Sequence, residues 1–105
     1  MVNPVDIENI EELRLQEGID DVVLREEIRA LAVGDFVKLT FLAADKAHTR
    51  ETLRVRITSI RGGGFRGKLA DKPALSGLST LRIGSTLVFT SACIHSVLKR
   101  REAHE

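Results

Sequence analysis

A few residues in this chain have types and spacings that could do chemistry. Gly62-Gly-Gly-Phe-Arg-Gly67-Lys68 fits G-x-x-x-x-G-K, the outline of a phosphate loop. Leu69 stands where that loop needs Ser or Thr for Mg²⁺, and Leu69-Ala-Asp-Lys-Pro73 cannot start the helix whose N-terminus helps hold the anion. A glycine hairpin turn is the simpler reading. Arg61-Gly-Gly-Gly-Phe-Arg-Gly is also similar to the Arg-Gly-Gly segments that bind RNA, but those work as disordered repeats. A single copy between two strands reads as a turn with flanking charge. An exposed Phe65 could stack a base there, yet its size places it in the core.

Cys93-x-His95 would put a thiol and an imidazole on one face of a strand. With one cysteine in the chain, and His48 and His104 far away in sequence, no ligand set for a metal is apparent. Two side chains so close on one strand seldom converge with a third, orienting group into a catalytic dyad. A small buried Cys beside a partly exposed His is expected. The pairs Glu11-Glu12, Asp20-Asp21 and Glu26-Glu27 fall on helical segments. Arg25 and Arg29 lie at helical spacings from the last pair, which suits a solvated, salt-bridged face and not a cleft that perturbs carboxylates. No catalytic residue, metal or cofactor is expected, and the chain is read as not an enzyme.

The remaining candidate is a basic surface. From Glu51 to Ala70 the chain reads as a β-hairpin: Leu53, Val55 and Ile57 alternate with Arg54, Arg56 and Thr58, Gly62 to Gly64 form the turn, and Phe65, Gly67 and Leu69 alternate with Arg66 and Lys68. Arg54, Arg56, Arg66 and Lys68 then share one face. With Arg61 at the turn and Lys72 just beyond, they make the candidate binding set. The formal net charge of +1 hides an asymmetry, because residues 1–35 hold ten acidic and three basic residues while the rest hold thirteen basic and five acidic. The basic part therefore either meets a nucleic acid or is met by the acidic part, within the chain or between chains.

The elements that must position these residues follow in order. Asn3-Pro4 reads as the start of a first helix carrying Ile7, Ile10 and Leu13, stopped by Gly18. A second helix starts at Asp20 or Asp21, carries Leu24, Ile28 and Leu31, and ends at Gly34. Val37, Leu39 and Phe41 then mark a strand over 36–42. A polar loop with Asp45, Lys46 and His48 leads to the hairpin, and Pro73 ends its second strand. After an irregular connection, residues 86–91 form a strand with Leu87 and either Phe89 or Val88 inward. Residues 92–98 give a short strand or 3-10 turn, and 99–105 a frayed, charged tail.

Short strands without crossover helices argue for a mainly β chain: a small antiparallel barrel of about five strands preceded by two short helices. Residues 1–34 are expected to pack on a barrel of residues 35–98. Gly34-Asp35-x-Val37-Lys38-Leu39-x-Phe41, Leu53-x-Val55-x-Ile57, Gly67-x-Leu69-x-Asp71-x-Pro73 and Leu81-x-Ile83-Gly84 resemble the small SH3-like barrel proteins of bacteria typified by the YegJ-like family, over residues 31–98. The second strand of that family often carries an aromatic, and here it has none. The resemblance implies a fold and no reaction. The chain has no apolar run long enough to cross a membrane and its N-terminus lacks an apolar leader, so a cytoplasmic location is expected. The expected function is a non-catalytic binding module for an unknown protein partner or for itself. The alternative is an RNA- or DNA-binding barrel using the basic hairpin face.

Overall fold

The computed structural model describes residues 5–43 and 49–98. Asn3, Pro4, the loop residues Asp45, Lys46 and His48, and the charged tail lie outside the described residues. Among the described residues six strands appear in chain order: β1 (Asp6–Ile7), β2 (Phe36–Leu42), β3 (Arg50–Arg61), β4 (Gly64–Leu69), β5 (Thr86–Thr90) and β6 (Ile94–Leu98). Two helices, α1 (Ile10–Gln16) and α2 (Val22–Arg29), precede β2, and 3-10 turns occupy Ser76–Leu78 and Ser91–Cys93. All pairings are antiparallel. The order is β1-β2-β3-β4-β5, with β6 also on β2, and it makes a nearly closed barrel.

The alternation in the hairpin has the register its apolar residues demand. Val37, Leu39, Phe41, Leu53, Val55, Ile57, Leu69 and Leu87 all point inward and are buried. Phe65 and Phe89 join them, their rings stacked with centroids 5.4 Å apart. Phe89 rather than Val88 is therefore the second inward residue of β5. The curl of the sheet comes from β3. Its first half pairs with β2 from Arg50 to Arg56 and its second half with β4 from Val55 to Arg61, with a bulge between Ile57 and Ser59. The Glu51 carboxylate accepts the backbone N–H groups of Ala74 and Leu75 at 3.0 and 3.1 Å, which ties the irregular connection to β3.

The first helix begins later than the sequence suggests. Asp6 and Ile7 are extended and pair with Leu42 and Phe41, and Val5 is in the core. Val5 and Ile7 belong to a period of two, and the edge of β2 beyond the reach of β6 has unpaired backbone that a short strand satisfies. The cap of α1 is Asn9, whose Oδ1 accepts the Glu12 N–H at 2.9 Å. Gly18, at φ 77°, ends α1 as expected, with Ile19 N–H to Arg14 O at 2.8 Å and Gly18 N–H to Leu15 O at 3.0 Å. Asp21 caps α2 by accepting the Leu24 N–H at 2.9 Å. That helix stops at Ala30, short of Gly34. Gly34 instead takes φ 99° to turn the chain into β2, donating its N–H to Ile57 O at 2.8 Å. Leu24, Ile28 and Leu31 pack against the barrel core as expected.

Gly67 faces inward opposite Ile57. A Cβ there would lie 2.6 Å from Val55 Cγ1 and 2.7 Å from Arg56 O, so this glycine is needed for room. Gly67→Ala is expected to cost about 1–3 kcal/mol by forcing β3 and β4 apart. A urea titration checks this, and an unchanged midpoint would contradict the packing described.

Candidate binding face

Burying one face of each strand exposes the other, and the register sets what stands beside what. Across the outer face of the barrel, Phe36, Arg56, Lys68 and Thr86 form one row through β2, β3, β4 and β5. A second row runs Ser59, Arg66 and Val88, and Lys38 lies opposite Arg54. Arg61 sits where the two-glycine turn begins, and Gly62 supplies the positive φ of 54° that the turn requires. The Gly62–Lys68 run is therefore a turn followed by β4, with no helix after it.

The six candidate residues divide into three groups. Arg56, Arg61, Arg66 and Lys68 are exposed and make no ion pair among the described residues. Arg54 stands on the same face, but its charge is held at home: Nε and Nη2 donate to Asp71 Oδ1 at 2.9 and 2.7 Å, and its backbone N–H donates to Asp71 Oδ2 at 2.9 Å. It is not the free cation that the alternation suggested, because Asp71, just past β4, folds back onto β3. Lys72 lies off the sheet, lining a groove of the connection with Leu75, Leu78 and Arg82. Ser59, Arg61, Arg66 and Val88 line a shallow pocket near the hairpin tip.

The aromatic on this face is Phe36, half-buried beside Arg56. Phe65 is core, as expected. Phe36 and Lys38 were not singled out from the sequence, although parity alone places both outside once Val37, Leu39 and Phe41 are inside. The acidic helices do not cover the four open cations. α1 packs on β6 and the Ser91–Cys93 turn, and α2 packs on β6. Arg14 of α1 donates to His95 O at 3.2 Å.

Cys93 and His95 do not share a strand face. Cys93 ends the 3-10 turn with Sγ 3.8 Å from Thr90 Oγ1, whereas His95 is on β6 with Nδ1 3.2 Å from Ser96 Oγ. Burial, with smaller contributions from Arg14 and Lys38, pushes the His95 imidazole below its ordinary value, against a weaker pull from Glu8. Among the described residues no cluster of His, Cys, Asp and Glu could hold a metal ion. On the helices Arg29 pairs with Glu26 at 3.2 Å as the spacing suggested, while Arg25 reaches back to Asp20 at 2.8 Å.

No family model matches the chain, and neither a curated protein nor a solved structure matches it.

The Arg54 guanidinium holds the Asp71 carboxyl below the usual carboxylate value, partly opposed by burial. A depressed folded value stabilises above the unfolded carboxylate's pKa of about 3.9 and is lost as pH falls through the folded one. Asp71→Asn is therefore expected to lower the unfolding midpoint at neutral pH, and the gap to wild type should shrink below about pH 4. Urea titrations at pH 7 and pH 3 measure both. A gap that widens in acid would contradict the sign.

Proposed function

We propose that this chain is a non-catalytic binding module and that the outer face of its barrel takes an extended polyanion, of the class of single-stranded nucleic acid. One observation carries the reading. Arg56 and Lys68 are direct cross-strand partners, both exposed, with no carboxylate paired to either among the described residues. Like charges placed directly opposite destabilise a sheet, and a local rule broken on an exposed surface is most readily explained by what binds there. Arg66, Arg61 and Lys38 extend the positive field along and across the hairpin, and Phe36 adds an apolar surface on which a base can lie.

Phosphate contacts from these side chains position a strand without reading its bases, so sequence-tolerant binding is expected. The competing use of this face, capture by the chain's own acidic helices, is disfavoured by the exposure of all four cations. Kinship with the YegJ-like barrels and a cytoplasmic setting belong to the same proposal and rest on the residues quoted for them.

The test is anisotropy of a labelled oligothymidylate titrated with protein over a range of salt. About four phosphates neutralised on a single strand give a log–log salt slope of about −3. Arg56→Glu/Arg66→Glu should abolish binding at low salt. Arg56→Glu alone should raise stability by about 0.2–1 kcal/mol, since it sets opposite charges across the strand pair. Equal affinity for wild type and double variant would falsify the proposal.

A further inference from the structure

The pocket at the hairpin tip has a shape that a continuous basic face does not require. Residues 64, 66 and 68 of β4 face outward. Gly64 therefore leaves the outer row between Arg61 of β3 and Thr90 of β5 without a side chain. The gap has a volume of about 340 Å³, walled by Ser59, Arg61, Arg66 and Val88. Gly64 does not take the positive φ that Gly62 supplies to the turn. A Cβ on Gly64 would meet nothing closer than Arg61 O at 3.5 Å, an ordinary contact, unlike the clash at Gly67. A glycine in a strand that neither backbone nor packing requires leaves room for something from outside.

The groups around the gap say what. Arg61 and Arg66 are diagonal neighbours on the strand pair, roughly 7–8 Å apart along the backbone and within reach of one another. Both are exposed and make no ion pair among the described residues. Residues 52–70 and 84–98 contain no Asp or Glu. Asp6 lies in a separate cleft with Val88, Phe89 and Thr90. The Thr58 hydroxyl donates to Arg66 O at 3.1 Å, whereas the half-buried Ser59 side chain makes no hydrogen bond among the described residues. Two guanidinium groups and one hydroxyl around a single gap suit an oxyanion of more than one charge. An internal phosphodiester carries one charge. A terminal phosphomonoester carries about 1.5–2 at pH 7 and offers three strong acceptor oxygens. The strand pair also ends here, at the Gly62 turn, so a chain lying along the basic rows arrives at this pocket where the face stops.

We propose that the Gly64 pocket takes the terminal phosphate of a single strand whose backbone lies on Arg56 and Lys68, so that the barrel binds strand ends in preference to strand interiors. This rests on the polyanion reading of the face. Arg61 and Arg66 meet the phosphate oxygens from two sides, and the Ser59 hydroxyl donates to a third.

The experiment uses the full chain and three internally labelled oligothymidylates of about eight nucleotides, a length that a small barrel can span. They differ only in carrying a 5′-phosphate, a 3′-phosphate or neither. One phosphorylated oligomer should bind about tenfold more tightly than the bare one, and which of the two does so fixes the direction of the strand. Gly64→Val fills the gap without changing any charge. It should remove the preference and leave affinity for the bare oligomer unchanged. Ser59→Ala should reduce the preference several-fold. Thermal melts check that both variants fold. Equal affinity for all three oligomers would overturn the proposal and leave the polyanion reading standing, whereas no binding of any of them at low salt would remove both. A preference that survives Gly64→Val in the folded protein would also overturn it, since the phosphate would then be held elsewhere. Should Gly64→Val fail to fold, an undiminished preference in Ser59→Ala would do the same.

Discussion

The contact of Gly67 with Val55 and the Arg56 carbonyl is where β3 passes from one partner strand to the other. Val55 and Arg56 pair with β2 on one side and with β4 on the other. At that point the sheet has to bend, and both strands have to come close. A side chain at position 67 would hold them apart, so the curl that closes the barrel depends on its absence. The bulge after Ile57 then re-aims the rest of β3, which keeps Ile60 opposite Phe65 and Arg66 outside.

The same parity that buries Val37, Val55 and Leu69 sends Phe36, Arg56 and Lys68 out in a row. The core and the basic face are therefore two readings of one register, and a slip of one residue would exchange them. What the register does not decide is which cations stay free. Asp71 folds back to hold Arg54, while Arg50 is held by Glu8 at 2.6 Å. The charges left over are clustered from the middle of β3 to the hairpin tip.

The acidic helices do not neutralise the open cations of the hairpin, although their opposite charges suggest that they should, and the pair from Glu8 to Arg50 lies ahead of both helices. Burial decides the matter. Leu24, Ile28 and Leu31 need an apolar surface, and they find it beside β6, where Arg14 also meets the His95 carbonyl. Burying one such side chain is worth about 1.5–3 kcal/mol, against about 0–1 kcal/mol for an exposed ion pair, so the apolar stripe and not the charge chooses where the helices go. The chain thereby keeps two surfaces of opposite sign apart.

The strands from β2 to β5, the glycine turn, most of their inward residues and the outward cations were legible in the sequence, because a period of two is a local property and burial makes it binding. So were the Gly18 stop and the start of α2, since caps act within a few residues. The rest required the tertiary structure. Asp6 and Ile7 form a strand because a distant edge of β2 needs partners, and the short period of two at Val5 and Ile7 does not point to that edge. Asp71 neutralises Arg54 because β4 and β3 bring together residues seventeen apart in sequence. Gly34 reads as a helix stop, yet its role comes from a hydrogen bond to Ile57, in another strand. Local pattern can say which residues must be inside; only the folded chain decides which charges meet, because electrostatic pairing depends on distances across the fold and not along the chain.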